Sequence, residues 1–562
     1  MVSNLVTIRS TWRSGLLISL LAAGCGSRSD KTSSQPAPEL VLWGGDVRTM
    51  DAATPHATAI AVANGKIVAV GDDKTVRALV RPATKEIALA GKTVTPGLID
   101  AHCHLYGLGV DLESVSVRAL PSEAETVTVV AEAAKTRPAT EWLTGRGWDQ
   151  NRWSGQQFPT KASLDAAVSD RPVLLRRVDG HALWVNSKAL EAAKITAATK
   201  DPAGGKIVRD AKGEPTGVLI DNATDLVEVV VPAAAPAVIE RRIRAAAKRA
   251  VAVGLAGVHD MGIGEDTAKV YRKLAAANEL PLRVYAYLSG NPAQLDQVRV
   301  APAPEVGRFT MRGVKYFADG ALGSRGARLY EPYDDDKPNK GLWVTEPDKL
   351  AAAVDAAVSG GWQVAIHAIG DAAIGSVLDA YLAAQKKHGG DRRLRVEHLQ
   401  VLALADLPRL VESKAIASMQ PTHATSDMPW AEQRVGAERI KGAYAWRTIL
   451  DKGVALANGS DFPVEDVPPL LGIYAAVTRQ DAKGQPAGGW YPAQRMTLDE
   501  AIAGFTRGAA YAQFAEDTRG VIAVGRDADL TVFDRTLAAD KSLLETRAAW
   551  TIVGGQVVYE AR

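Results

Sequence analysis

Val94–His104 reads Val-Thr-Pro-Gly-Leu-Ile-Asp-Ala-His-Cys-His, an apolar run that ends in two histidines with one residue between them. On a β-strand alternate side chains share a face, so His102 and His104 point together and Cys103 points the opposite way. Two imidazoles that converge at a strand end can hold a metal ion. Further along the chain, other residues of compatible chemistry sit in or at the end of short apolar runs. Lys315 lies in Gly313-Val314-Lys315-Tyr316-Phe317, His367 follows Val364-Ala365-Ile366, His398 follows Arg395-Val396-Glu397, and Asp461 lies in Asn458-Gly459-Ser460-Asp461-Phe462-Pro463. Each has an ordinary alternative: a satisfied rim histidine, a solvated lysine, a helix-capping aspartate. Taken together, four imidazoles, a lysine and a carboxylate at the ends of separate strands make a metal-dependent hydrolase site, provided the fold brings those ends to one place.

The hydrophobic pattern supplies such a fold. Between the two chain ends, short apolar runs alternate with helical stretches such as Ala234–Val253 and Leu350–Ser359, the βα alternation of a parallel sheet. The strand candidates are Val94–Ala101, Gly257–Asp260, Arg283–Leu288, Gly313–Phe317, Gln363–Ile366, Leu394–Glu397, Ala415–Met419 and Val454–Asn458. Eight is the number that closes an α/β, TIM-like (β/α)8 barrel, whose catalytic groups come from the C-terminal strand ends. The stretch of about residues 105–231 is too long for a single βα connection and predicts an insertion. Both chain ends are β-like instead. Asn64-Gly65 precedes Lys66–Val70, and Gly554-Gly555 separates Trp550–Val553 from Gln556–Tyr559, each a hairpin signal. The expected organisation is a small β-sandwich built from residues 39–95 and 516–562 around a barrel of residues 96–515.

The composition excludes other classes. The chain has 562 residues, enough for two or more structural units, and is 47% hydrophobic and 23% charged, as a globular protein is. With 66 basic and 64 acidic residues it carries no nucleic-acid footprint. Two cysteines, Cys25 and Cys103, give no disulfide framework. Arg9 and Arg13 precede the apolar run Leu16–Ala23, too short to span a bilayer, and Gly24-Cys25 follows. Residues 1–25 therefore read as a secretory signal. Its small residues before a cysteine resemble a bacterial lipoprotein cleavage site with Cys25 as the lipid-bearing residue; the alternative is an ordinary signal peptide. Residues 26–38, rich in Ser, Gln and Pro, read as a tether. The expected location is the cell envelope, anchored by lipid to a bacterial membrane on its periplasmic or outer face. Oligomeric state is left open.

The ordered set His102, His104, Lys315, His367, His398 and Asp461 resembles the amidohydrolase superfamily. Finer matches resemble its N-substituted-formamide-deformylase-like branch: Gly145–Gln150, Asp179–Asn186, Gly213–Gly217, Phe317–Arg325 and Ser460–Pro463. The resemblance covers the chain from about Leu40 to Arg562 and implies a binuclear site. His102, His104 and Asp461 would hold the more buried ion, His367 and His398 the other, and Lys315 would bridge them as a carboxylated lysine. A free lysine, with a pKa of about 10.4, donates rather than ligates at neutral pH, whereas carboxylation makes it an anionic oxygen ligand. Zinc is the first choice for an N/O ligand set, with manganese or iron as alternatives, and a single ion if Lys315 is unmodified. The implied reaction is attack of a metal-held hydroxide on a carbonyl, with Asp461 moving the proton to the leaving nitrogen.

His181 and His259 are candidates for substrate or oxyanion contact, or for structural hydrogen bonding. Asp319 and Arg325 either orient a polar substrate group or brace their loop. Trp148, Trp153 and Trp184 either cover the site as an apolar lid or pack within the insertion. The leading activity is hydrolysis of non-peptide carbon–nitrogen bonds in a small amide or N-substituted formamide. The alternatives are a metal-dependent esterase, lactonase or cyclic amidase, and a non-catalytic ligand-binding lipoprotein.

Overall fold

A computed structural model of the chain describes residues 37–561. The expected signal peptide, Cys25 and nearly all of the tether lie outside the described residues.

Eight parallel strands form one sheet in sequential order: β1 (Leu98–Cys103), β2 (Leu255–Ile263), β3 (Arg283–Ser289), β4 (Phe309–Phe317), β5 (Gln363–Ala368), β6 (Arg395–His398), β7 (Ile416–Met419) and β8 (Leu456–Asn458). All of β1, β5, β6, β7 and β8 is buried, as expected of a parallel sheet covered on both faces. The first expected strand is in fact two. Thr93–Pro96 belongs to a different sheet, and the barrel strand starts after Gly97. β8 and β1 close the ring just beyond β8. Asp461 N–H donates to His102 O (2.7 Å) and His104 N–H to Phe462 O (2.8 Å). The Ser460 N–H and hydroxyl both donate to the Asp100 carboxylate, the hydroxyl at 2.6 Å. A side chain at Gly459 would put its Cβ 2.5 Å from His102 N, so only glycine lets the two strand ends approach this closely. The closure thus places His102 and Asp461 side by side.

Helices pack outside the barrel. Pro236–Ala252 starts on a proline, whose fixed φ suits a first helical turn, and buries Ile239, Ile243, Ala246, Ala247 and Ala250, one stripe of a 3.6-residue period. Two further sheets use the chain ends. One has the order Lys66–Gly71, Ala59–Ala63, Leu40–Trp43, Lys85–Ala88. The other runs Gln556–Glu560, Ala548–Val553, Leu530–Phe533, Thr93–Pro96, Asp46–Arg48, His56–Ala57, so strands from both ends of the chain share it. Side chains from both sheets, including Leu42, Ile60, Val94, Leu530 and Ile552, meet in one apolar cluster. The hairpin turns are as expected, with positive φ at Asn64 and Gly65 and at Gly554 and Gly555.

The insertion has a sheet and a core of its own. Its six strands run in the order Gly205–Arg209, Pro215–Asp221, Ala182–Val185, Val173–Arg177, Leu143–Trp148, Val115–Ser116. The tryptophans are that core and not a lid. The rings of Trp148, Trp153 and Trp184 lie 6.2 Å apart pairwise, and each indole N–H is spent on a backbone carbonyl. Trp148 is completely buried, whereas Gly147 and Asp149 on either side of it line the site cavity. The alternation of a strand explains the difference. Trp148→Ala is expected to cost about 3–5 kcal/mol of stability through the cavity it leaves, measurable as a shift in urea unfolding.

Candidate active site

The imidazoles of His102 and His104 stand edge to face with centroids 5.7 Å apart. Each is pinned through Nδ1: His102 Nδ1 to Glu397 Oε2 (2.5 Å) and His104 Nδ1 to Met261 O (2.9 Å). A neutral imidazole that donates from Nδ1 offers only a lone pair at Nε2. Those lone pairs face the same carboxylate oxygen, with His104 Nε2 3.1 Å and His102 Nε2 3.5 Å from Asp461 Oδ1. Both His102 Nε2 and Asp461 Oδ1 are buried without a hydrogen-bond partner. Converging acceptors with no proton between them repel one another, and a cation removes the conflict. This donor set therefore fits a metal ion.

The other oxygen of Asp461 faces a second group. His398 Nδ1 donates to Gln420 Oε1 (2.8 Å) and His423 Nδ1 to Glu465 Oε1 (3.0 Å), so both rings turn Nε2 inward. His423 Nε2 lies 3.4 Å from Asp461 Oδ2. The ligand atoms of His102, His104 and Asp461 lie within 4.8 Å of one another, as do those of His398, His423 and Asp461. Pinning the outer nitrogen of each histidine fixes tautomer and ring orientation, the usual outer support of a metal site. Asp461 (φ 61°) and His398 (φ 70°) both hold left-handed backbone, which is unfavourable for non-glycine residues and common where function demands a side-chain direction.

His102, His367 and His398 are held in the neutral form that ligation requires. Burial, reinforced by the Lys315 charge, lowers His102 to about 4. Burial and the neighbouring imidazoles push His367 and His398 well below the ordinary range. Burial opposes protonation of His423 as well, but hydrogen bonds to Asp461 and Glu465 outweigh it and raise the ring to about 10. Lys315 projects from β4, almost wholly enclosed, and burial lowers its amine to about 8. Its ammonium nitrogen lies 4.6 Å from the Phe317 ring centre. The His367 ring centre is 4.6 Å from that of His398 and 4.8 Å from that of His181. His367 thus borders the histidine cluster but falls outside the two tight groups of histidine and carboxylate ligand atoms.

The remaining candidates separate by position. His181 reaches the cavity from the insertion, with Nδ1 held by Asp221 at 2.7 Å. His259 is buried in the barrel interior, its Nδ1 accepting from Arg395 at 2.7 Å, and is not among the residues that line the cavity. Asp319 is also fully buried. It accepts backbone N–H groups of Arg328, Ile369 and Gly370, which makes it a brace for the β5 loop. Arg325 pairs with Asp335 at 3.1 Å, away from the cavity lining. Cys103 is buried in the barrel's apolar core, as its register predicts. Sequence reasoning missed Glu397, His423 and Glu465. For His423 the available signal was its place just after β7, in Gln420-Pro421-Thr422-His423.

The sequence matches the model of the Amidohydrolase family over residues 85–559. It is 37% identical to YtcJ of Bacillus subtilis (strain 168) over 531 residues, covering 92% of this chain and 99% of that protein. It is 29% identical to the N-substituted formamide deformylase of Arthrobacter pascens over 547 residues, covering 93% and 98%. Among solved structures, an uncharacterized metal-dependent hydrolase from Pyrococcus furiosus superposes with a TM-score of 0.69 at 30% identity, covering 88% of this chain and 99% of that one.

Proposed function

The chain belongs to the amidohydrolase family, and from that premise we propose that it hydrolyses a carbon–nitrogen bond other than a peptide bond in a small amide or N-substituted formamide. The observation that carries this reading is the convergence of His102 Nε2, His104 Nε2 and Asp461 Oδ1, the first and last of them buried without a hydrogen-bond partner. A relative that spans 98% of its own length against this chain is named for formamide deformylation. His102, His104 and Asp461 would hold one ion, and His398 a second together with His423 or His367. When bound, such an ion polarises a carbonyl and lowers the pKa of water. Zinc suits the histidine-rich set first, with manganese or iron next.

The chain's own residues do the rest. Asp461 is the carboxylate placed to accept a proton beside the reacting carbonyl and return it to the leaving nitrogen. His423 and Glu465 fix the far oxygen of Asp461, and His181 reaches over the cavity to meet the substrate. We read Lys315 as the bridging carboxylated lysine. Its lowered pKa leaves a fraction of neutral amine at neutral pH, and that form takes up carbon dioxide, loses a proton and becomes an anionic carbamate. We read the two chain-end sheets as a β-sandwich that supports the start of β1. The enzyme is placed at the cell envelope through a lipid on Cys25, on the pattern of residues 9–25 alone.

The test is metal content and turnover of protein beginning after Cys25. Two ions per chain are expected, falling in Lys315→Ala, with N-substituted formamides and amides hydrolysed faster than matched esters. No bound metal after loading with zinc or manganese in bicarbonate would overturn the reading, and ester preference would favour an esterase or lactonase.

A further inference from the structure

The site opens into a cavity of about 340 Å3 whose walls carry charged side chains beside apolar ones. Apart from the exposed Arg152 and Asp466 at its rim, most of that charge is already matched. Arg177 pairs with both Asp149 (2.6 Å) and Asp179. Glu465 is taken by His423, and Asp461 belongs to the ion site. Asp427 differs. Its Oδ2 accepts from the Gln400 amide (2.9 Å) and the Tyr444 hydroxyl (2.8 Å), both neutral donors. Among the described residues no lysine, arginine or histidine lies within ion-pair distance of it. Two neutral donors orient the carboxylate without balancing its charge, and a half-enclosed anion of this kind favours a cationic partner.

Asp427 is also placed to act on a substrate. The helix Pro421–Asp427 follows β7, and on it His423 and Asp427 are four residues apart, on one face. Trp430, three residues on and past the end of the helix, lines the same cavity and offers apolar surface there. With a rise of 1.5 Å per residue, Asp427 stands about 6 Å along the helix from the histidine that touches Asp461.

We infer that Asp427 and Trp430 form a subsite for an alkylammonium group, so that the preferred substrate carries an amine on an alkyl chain extending from the bond that is cleaved. The inference rests on the hydrolase reading above and names the substrate class for that site. Trp430 covers the methylenes, and the ammonium meets the free side of the Asp427 carboxylate. Burial, opposed by the nearby His423 charge, pushes the Asp427 carboxyl up to about 7. At pH near 8.5 the carboxylate is therefore ionised while an alkylammonium, with a pKa of about 10.4, keeps its proton.

Three N-substituted formamides of one length test this at that pH: N-(4-aminobutyl)formamide, N-pentylformamide and N-formyl-5-aminopentanoate, ending in ammonium, methyl and carboxylate. Wild-type, metal-loaded enzyme is expected to show kcat/KM at least tenfold higher for the ammonium-ended substrate than for the methyl-ended one. The carboxylate-ended substrate should be the poorest. Asp427→Asn, which keeps shape and loses charge, should cut the ammonium-to-methyl ratio at least tenfold; Asp427→Ser serves if the asparagine variant does not fold. Equal rates for the first two substrates overturn the subsite while leaving the hydrolase reading intact. A preference for the carboxylate end overturns it too, and moves recognition to Arg152 at the cavity rim. If no formamide is hydrolysed, the hydrolase reading fails separately, and calorimetry with pentylammonium decides. Binding at least tenfold tighter to wild type than to Asp427→Asn sustains the subsite, and equal binding removes it.

Discussion

Asp461→Asn is expected to strip the site of metal and lower kcat/KM by about 1,000-fold or more, within the range that a positioned acid–base group supplies, with loss of ligation adding to it. One oxygen of Asp461 faces His102 and His104, and the other faces His423, so a single side chain is common to both ligand groups. Asparagine keeps the volume but offers one neutral oxygen and an N–H donor. Placed toward His102, that amide would donate to the lone pairs that should ligate; placed toward His423, it would set its N–H against the ring nitrogen that faces Asp461. Either orientation removes the negative charge. The checks are plasma mass spectrometry of the purified variant and rates with the best amide found for wild type. Normal metal content with lost activity would confine Asp461 to proton transfer, and retention of both would remove it from the site.

How much of this could be read from the sequence follows from how each residue is held. The barrel strands were legible because parallel strands buried on both faces are short apolar runs, and all eight candidates end within two residues of the C-terminal end of an observed strand or inside it. The residues at those ends were legible for the same reason. His423 was not, because β7 ends on apolar Met419 and the histidine comes from the following helix. Glu397 was hidden beside His398. Arg395 and Glu397 are two apart on one strand and both point into the barrel interior, beneath the metal ligands, where a sequence reading expects apolar residues. His259 has the chemistry of a site residue but sits too deep in its strand to reach the cavity. The tryptophans left two readings open, a lid or a core of the insertion, because a cluster of large aromatics has no direction until its strands are known. Once the insertion is a six-stranded sheet, the same residues are what it packs around.

Glu397→Gln is expected to lower stability by about 3–5 kcal/mol, the cost of leaving one member of a buried ion pair uncompensated, and to weaken metal binding about 10- to 100-fold, as loss of an outer support for a ligating histidine does. Both effects come from one carboxylate. Glu397 Oε1 accepts from Arg395 Nε at 2.7 Å, and Oε2 accepts from Arg395 Nη2 at 3.0 Å while also holding His102 Nδ1 at 2.5 Å. The other partners of Arg395 are neutral: His259, the Tyr287 and Ser418 hydroxyls and the Ala101 carbonyl. Glutamine would leave the guanidinium buried with no anion bonded to it. Burial alone would raise the Glu397 carboxyl, but Arg395, and after it His102, hold it well below the usual carboxylate range. A depressed folded-state pKa stabilises above the unfolded value of about 4.3 and is lost only as pH falls through the folded value. The wild-type advantage should therefore be constant from pH 5 to 8, as read by urea unfolding with chelator present, and shrink only in stronger acid. Metal titration of the folded variant then reads the second effect separately. Unchanged unfolding with weakened metal binding would show that His102 alone depends on Glu397, and unchanged values of both would mean that Arg395 and His102 each find another partner inside the barrel.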